Sequence, residues 1–207
     1  IHGVESAALD DVFEQVEFFV DAVSDYKSDF VLFPEYFNAP LMAKFNHLGE
    51  AQSIRGLAQY TEEIRERFVN LAISYNINII TGSMPLLKED GALYNVGYLI
   101  RRDGSYEMYE KVHVTPDEQK SWGLSGGKMV KTFDTDCARI GVLICYDVEF
   151  PELSRIMADQ GMQILFVPFL TDTQNGYSRV RVCAQARAIE NECFVVIALS
   201  LIHISEP

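Results

Sequence analysis

Short apolar segments of strand length alternate with amphipathic segments along most of this chain. Apolar residues recur at helical spacing from Phe13 to Val23, which predicts a helix that runs to about Tyr26. The next apolar segment, Phe30 to Glu35, has the length of a strand and ends on a carboxylate. Sheets whose strands alternate with helices are covered by those helices. The alternation therefore predicts an α/β fold, and it constrains the chain more than composition does.

The later part of the chain predicts hairpins as well as further strands and helices. Leu93–Arg101 and Tyr106–Val114 flank Asp103-Gly104, a strong hairpin signal that requires antiparallel pairing, so the sheets are mixed. A second helix is predicted from Thr61, whose hydroxyl can cap it. The remaining predictions are strands at 77–84, 130–133, 139–144, 164–170 and 193–199, helices at 151–161 and 177–191, and irregular segments at 38–60 and 115–129.

The composition restricts the partners of the protein. The chain carries 17 basic and 30 acidic side chains, and its net charge of −13 argues against nucleic acid and anionic membrane surfaces. No apolar run approaches the roughly 20 residues of a membrane span. The 4 cysteines show no short-spaced framework, which favours reduced thiols in a cytoplasmic protein. The histidines have no ligand spacing with one another or with cysteine, so we expect no metal and no cofactor.

Cys145 is the strongest candidate for a catalytic residue. It directly follows the apolar run Ile140–Ile144 and precedes a helix that begins at Pro151. A strand that ends on a thiol ahead of a helix N-terminus presents the sulfur as a nucleophile, and the helix dipole lowers its pKa. The alternative is an inert buried thiol, the usual state of a cysteine in a protein.

Glu35 and Lys111 supply complementary chemistry if they meet that thiol. Both lie at or near the end of a predicted strand, where sites in α/β proteins collect. The apolar neighbours of Glu35 should raise its pKa, so that it can accept the thiol proton. Lys111 should favour the thiolate and stabilise an oxyanion. We expect Lys111 to outweigh the acidic residues that closely follow Cys145, so that the pKa of the thiol falls.

Four further residues are weaker candidates. His113 is a candidate base for a Cys–His pair, although a supporting role fits it better because it shares a strand face with Lys111. Asp172, Tyr177 and Arg179 follow a predicted strand and are candidates to line a substrate pocket. For each of these four residues, the alternative is an ordinary role at the surface or in packing.

Three blocks of sequence resemble the signature blocks of the nitrilase (carbon–nitrogen hydrolase) superfamily, in the same order: Phe-Pro-Glu-Tyr-Phe (33–37), Glu-Lys-Val-His-Val (110–114) and Cys-Tyr-Asp-Val-Glu-Phe-Pro-Glu (145–152). The resemblance covers nearly the whole chain. It implies a four-layer α-β-β-α sandwich and a homodimer or higher homo-oligomer. It also implies a Glu-Lys-Cys triad in which Glu35 is the general base, Lys111 the oxyanion-stabilising cation and Cys145 the nucleophile.

The resemblance extends to a subgroup and to the limits of the domain. Glu118 stands where many members carry a second glutamate, and Val-Thr-Pro-Asp-Glu (114–118) with Trp-Gly-Leu-Ser-Gly-Gly (122–127) is similar to members fused to an N-acetyltransferase domain. Compared with family members, residues 1–198 are expected to be an incomplete hydrolase domain that lacks a first strand and a C-terminal part. Residues 199–207 are expected to be a non-native tail.

The predicted activity is hydrolysis of a non-peptide carbon–nitrogen bond in a small linear amide. Cys145 would form a thioester, Glu118 would help to orient substrate or water, and the backbone N–H of Tyr146 would share the oxyanion with Lys111. One alternative is an acyltransferase that passes the same thioester to an acceptor other than water. Another is a catalytically silent binding domain.

Overall fold

The computed structural model describes residues 9–200 of the chain. It contains five α-helices and ten strands within that range. The helices are α1 (Leu9–Asp25), α2 (Glu50–Leu57), α3 (Thr61–Tyr75), α4 (Pro151–Asp159) and α5 (Gln174–Asn191). The strands are β1 (Phe30–Leu32), β2 (Asn78–Ile80), β3 (Met84–Leu87), β4 (Leu93–Ile100), β5 (Tyr106–Glu110), β6 (Leu124–Ser125), β7 (Thr132–Asp134), β8 (Arg139–Val142), β9 (Ile164–Leu170) and β10 (Phe194–Ser200).

The strands form two mixed sheets. In the first, β1 pairs in parallel with β2, and the long strand β4 pairs antiparallel with β2, β3 and β5 and in parallel with β6. In the second, the order is β10-β9-β8-β7, with only the β7–β8 pair antiparallel. The predicted hairpin about Asp103-Gly104 is the β4–β5 pair, in which Ile100 faces Tyr106. The prediction of mixed sheets is therefore confirmed.

Three apolar clusters separate four layers of structure. The first lies between α1, α3 and one face of the first sheet, and Phe68 of α3 is fully buried in it. The second joins the inner faces of the two sheets, where Leu99 and Tyr109 meet Phe133 and Phe166. The third lies between the second sheet and the helices α4 and α5. The predicted α-β-β-α sandwich is confirmed.

Three local predictions were wrong. Residues 38–60 and 115–129 were predicted to be irregular, but the first segment contains α2 and a 3₁₀ helix at Ala39–Phe45, and the second contains a π-helical turn at Glu118–Trp122 and β6. Thr61 does not cap α3, because it is the first helical residue and its hydroxyl donates a buried hydrogen bond to the Pro85 carbonyl at 2.6 Å. The strand predicted over 77–84 is divided into β2 and the start of β3 by Gly82.

Gly82 has a structural reason to interrupt that strand. Its φ is +69°, and a Cβ at this position would lie 2.0 Å from the carbonyl oxygen of Pro34. Only glycine allows both this backbone conformation and this close approach. The segment that follows β1 therefore packs against Gly82, and this contact fixes the path of the backbone that leads to Glu35.

The last described strand overlaps the predicted tail. β10 extends to Ser200, and its register with β9 continues through Leu199 opposite Phe169. Residues 201–207 of the predicted tail lie outside the described residues, as do residues 1–8 of the predicted domain.

Candidate active site

Glu35 lies three residues beyond β1 and is fixed by backbone contacts with the start of β3. It forms an isolated parallel bridge with Ser83, and the Tyr36 N–H donates to the Ser83 carbonyl at 2.8 Å. Tyr36 adopts a φ of +51°, a conformation that a non-glycine residue rarely takes. The chain therefore turns sharply just after Glu35 and leaves the carboxylate pointing into the interior.

The Glu35 carboxylate accepts three hydrogen bonds and is 2% exposed. Oε1 accepts from Lys111 Nζ at 2.8 Å and from Asn95 Nδ2 at 2.9 Å, while Oε2 accepts from the Leu170 N–H at 2.9 Å. Burial raises the pKa of Glu35, and the opposing effect of Lys111 is smaller. The expected rise is confirmed, so this carboxylate is a stronger base than one at the surface.

Lys111 is the first residue after β5 and is 1% exposed. Its Nζ lies 2.8 Å from Glu35 Oε1 and 2.9 and 2.8 Å from the two carboxylate oxygens of Glu118. Burial by itself lowers the pKa of the ammonium, but the surrounding negative groups, led by Glu35, raise it further than burial lowers it. The lysine is therefore held as a cation inside the protein.

Glu118 belongs to the same buried cluster. It begins a π-helical turn, Glu118–Trp122, and accepts hydrogen bonds from the Thr115 N–H at 2.7 Å and the Tyr36 hydroxyl at 3.2 Å. The Tyr36 ring meets Trp122 edge-on, with centroids 5.5 Å apart. The turn that carries Glu118 is thus anchored to the residue next to Glu35.

Cys145 lies just beyond β8 at the start of a 3₁₀ turn, Cys145–Glu149. Its φ is +49°, and its Sγ lies 3.6 Å from the Leu170 carbonyl oxygen. Non-glycine residues with positive φ cost free energy and persist where the surrounding structure enforces them, often at active sites. The chain therefore turns sharply at the thiol, and Leu170 contacts both the thiol and Glu35.

The pKa of Cys145 is raised, and the prediction that it falls was wrong. Burial has the largest effect, and the Glu35 carboxylate adds to it, while Lys111 lowers the pKa by less. The helix α4 begins only at Pro151, six residues beyond the sulfur. The thiol at rest therefore keeps its proton beside a carboxylate that can take it.

His113 does not pair with the thiol. Its Nδ1 lies 3.0 Å from Asp147 Oδ1, and its ring stacks on Phe150 with centroids 3.7 Å apart. β5 ends at Glu110, so His113 and Lys111 do not share a strand face as predicted. The supporting role, rather than the role of base, is the one compatible with these contacts.

One cavity of about 720 Å³ brings most of the candidates together. Its lining includes Glu35, Lys111, Glu118 and Cys145, with Tyr146 and Asp172 also at its surface. Tyr177 is not among the lining residues: it packs on Phe169, with ring centroids 6.3 Å apart. The prediction that Tyr177 lines the pocket was therefore wrong, and Tyr36, Trp122 and Thr173 line the cavity instead.

Carboxylates predominate at the mouth of this cavity. Glu50, Asp117 and Asp172 are exposed lining residues and have no ion-pair partner within residues 9–200. Arg179 also lines the cavity, but its Nη2 lies 2.7 Å from both carboxylate oxygens of Glu149. The charge of Arg179 is therefore largely neutralised, and the mouth presents a negative potential to a ligand.

Asn95 and Asp147 also contribute to the site, although neither was predicted to be a site residue. Asn95 orients Glu35 from β4, and Asp147 binds the chain beyond Lys111. Both are polar residues next to apolar ones, a weak signal that did not distinguish them. In the part of the chain described, no three His, Cys, Asp or Glu side chains are arranged to hold a metal ion, and no helix has the length and apolar character needed to cross a membrane.

Comparison with known proteins identifies the family. The family model described as carbon–nitrogen hydrolase matches residues 3–203. The chain belongs to the carbon–nitrogen hydrolase family. The chain is 49% identical over 184 residues to the probable hydrolase YhcX of Bacillus subtilis, an alignment that covers 89% of this chain and 36% of that protein. It is also 31% identical to the human omega-amidase NIT2, over 94% of this chain and 70% of that one.

Solved structures of the family agree with the fold of this chain. The Saccharomyces cerevisiae protein Nit3, a member of the nitrilase superfamily, aligns with a TM-score of 0.77 and 25% identity over 90% of this chain and 68% of that one. An amidase from Nesterenkonia aligns with a TM-score of 0.76 at 23% identity, over 90% of this chain and 68% of the amidase. The fold is thus of the nitrilase type. The chain spans about a third of YhcX and 59% of a deaminated glutathione amidase from Synechocystis that is 32% identical over 73% of this chain.

Proposed function

We propose that this protein hydrolyses a non-peptide carbon–nitrogen bond of a small linear amide through a thioester on Cys145. The single observation that carries the proposal is the shared cavity: a buried carboxylate, a buried ammonium and a thiol at a strained elbow all line it. Relatives named as omega-amidase and deaminated glutathione amidase support amide hydrolysis as the reaction class.

In the proposed reaction, Cys145 Sγ attacks the amide carbonyl carbon while Glu35 takes the thiol proton. The raised pKa of the thiol means that attack and proton transfer are coupled, because a free thiolate is scarce at neutral pH. The tetrahedral intermediate collapses when Glu35 returns the proton to the nitrogen, so the carbon–nitrogen bond breaks and ammonia or an amine departs. Water then attacks the thioester, Glu35 accepts its proton, and the carboxylic acid and the thiol are regenerated.

We assign the oxyanion to Lys111 and to the backbone N–H of Tyr146. A buried cation acts strongly on developing negative charge, because the surroundings screen it less than water does. Lys111 is held between two carboxylates at the wall of the cavity, so its charge is already in place when the oxyanion forms. Glu118 has the supporting role of holding Lys111 in place and orienting substrate or water.

Two alternatives make different predictions. An acyltransferase would carry the same thioester to an amine or other acceptor, and product formation would depend on that acceptor. A silent binding domain would release no ammonia from any amide. Incubation with a panel of amides and carbamoyl compounds, with Cys145→Ala as the control, separates the three: a hydrolase releases ammonia without an acceptor, and mass spectrometry detects an acyl adduct on Cys145.

The charge at the cavity mouth favours some amides over others. We propose that substrates carry a neutral or cationic group at the end remote from the amide, because Glu50, Asp117 and Asp172 would repel an anionic one. The negative net charge of the whole chain acts in the same direction.

The remaining proposals concern assembly and context. We propose a homodimer, and exposed apolar side chains on α5 and β10, such as Ile189 and Phe194, support it. The free state of all four cysteines supports a cytoplasmic location. Membership in the subgroup fused to an acetyltransferase domain rests on the 114–127 pattern. Light scattering tests the homodimer, and the sequence of the natural gene tests the fusion.

A further inference from the structure

Asp147 joins the two segments that carry the lysine and the thiol. It lies in the turn Cys145–Glu149 and is 1% exposed. Its Oδ2 accepts a hydrogen bond from the Val112 N–H at 3.0 Å, and its Oδ1 accepts from the His113 N–H at 2.7 Å. The same Oδ1 lies 3.0 Å from His113 Nδ1. One buried carboxylate from the thiol's turn thus holds the two residues that directly follow Lys111.

The contact between Asp147 and the residues after Lys111 begins where the pairing of this segment with β4 ends. The Lys111 N–H donates to the Asn95 carbonyl at 2.9 Å, which is the last contact of this segment with β4. Beyond it, the N–H groups of Val112 and His113 have Asp147 as their partner. A buried N–H needs a hydrogen-bond acceptor, and here that acceptor comes from the second sheet's side of the cavity.

The site therefore spans two sheets, and Asp147 is a direct tie between them. Lys111 extends from the end of a strand in the first sheet, and Cys145 follows a strand in the second. We propose that Asp147 is a positioning residue that fixes the distance between Lys111 Nζ and Cys145 Sγ. The proposal rests on the function proposed above, since it assigns a role in that reaction.

A purely structural role is the alternative, and Arg187 offers a matched control. Arg187 is also buried and binds the same turn from α5, with its Nε 2.9 Å from the Val148 carbonyl and its Nη2 3.3 Å from the Glu149 carbonyl. It has no hydrogen bond to the segment that follows Lys111. A variant at either position loosens the turn, but only a variant of Asp147 also loosens the segment that follows Lys111 and so lets the lysine shift.

The test compares Asp147→Asn with Arg187→Lys. The asparagine has one acceptor oxygen and turns an NH₂ group toward a backbone N–H, so at least one contact is lost. The thiol faces Glu35 and Lys111, with Glu118 and Tyr36 behind them, and only Lys111 among these lowers its pKa. Displacing Lys111 should therefore move the pH midpoint of Cys145 alkylation by iodoacetamide upward, and Lys111→Met should move it in the same direction.

We expect Asp147→Asn to lower kcat by about 10- to 100-fold with a smaller change in KM, since misplacement near 1 Å has effects of that order. Both variants should lower the Tm by similar amounts. Arg187→Lys, unlike Asp147→Asn, should leave the alkylation midpoint at its wild-type value. Alkylation is followed on the peptide that contains Cys145, so the other cysteines do not interfere. If Asp147→Asn does not fold, His113→Phe removes only the Nδ1 contact and should give a smaller shift in the same direction.

The proposal is overturned if the Asp147 variant has the wild-type alkylation midpoint, or if kcat in both variants falls only in proportion to Tm. Alkylation needs no substrate, so it decides the role of Asp147 even if no amide is hydrolysed. Failure of the proposed function would instead appear as an absence of ammonia release from the wild-type protein with a normal alkylation profile.

Discussion

The Lys111 ammonium lies as close to Glu118 as to Glu35, with 2.8 Å separating Nζ from the nearest oxygen of each carboxylate. Two carboxylates around one cation leave this buried cluster with a negative charge. The thiol of Cys145 is thus next to a cluster that opposes its ionisation, and burial opposes it further. The proposed reaction therefore requires the thiol proton to be transferred during attack.

Replacement of Cys145 by alanine should abolish turnover. We expect amide hydrolysis to fall by at least about 10³-fold, because the loss of a covalent nucleophile is among the largest single effects known in enzymes. The exposed Cys137 is the matched control, and Cys137→Ala should retain full activity. Ammonia release measures both. Substantial activity in Cys145→Ala would exclude a thioester on this residue.

Lys111→Met should destabilise the protein as well as inactivate it. Two buried carboxylates would then face each other without a cation, a change that costs about 3–5 kcal/mol at neutral pH. Lys131→Met, which breaks a more exposed contact with Glu107, should cost less than about 1 kcal/mol. Urea unfolding measures the two losses. The Lys111 loss should shrink at low pH, where the carboxylates become protonated, and a loss that is constant with pH would contradict the prediction.

The acid limb of the pH–rate profile should report Glu35. Glu35 must be ionised to accept the thiol proton, and burial raises its pKa from the ordinary value of 4.5, so activity should fall as the pH drops while still above that value. The negative charge of Glu118 contributes to the rise. Glu118→Gln should therefore move the acid limb of kcat/KM to lower pH. An unmoved limb would show that another group controls it.

Substrate charge should alter kcat/KM in a salt-dependent manner. Amides of equal length that end in an ammonium, a hydroxyl or a carboxylate should rank in that order at low ionic strength. The differences should diminish as salt is added, because the carboxylates at the mouth are exposed and therefore screened. Asp172→Asn should reduce the preference for the ammonium compound. A preference for the carboxylate compound would indicate that Arg179 leaves Glu149 to bind it.

The sequence predicted the main elements because most of their signals are local. The apolar segment 164–170 has a strand's length, and Pro151 and Gly161 mark the limits of α4 and the turn after it; both elements lie where the sequence places them. The errors arise where the local conformation depends on a contact with a residue that is distant in the sequence. Thr61 bonds to Pro85 instead of capping its helix, and Gly82 breaks a strand because Pro34 approaches it.

The positions of the three main residues of the candidate site were easier to predict from the sequence than their pKa values. Glu35, Lys111 and Cys145 each lie just beyond the end of a strand, so their meeting at one cavity follows from the topology. The raised pKa of Cys145 does not, because it depends on how deeply the sulfur is buried. The role of Asp147 was hidden for a similar reason, since its partners are backbone groups 34 and 35 residues earlier.

The ring that packs against Tyr36 belongs to the only tryptophan among the 207 residues. All indole fluorescence of the protein therefore originates at the wall of the cavity. A ligand that enters, or a change in the turn that carries Glu118, alters the surroundings of that fluorophore directly. Stopped-flow emission can thus resolve binding from the chemical steps without an attached label.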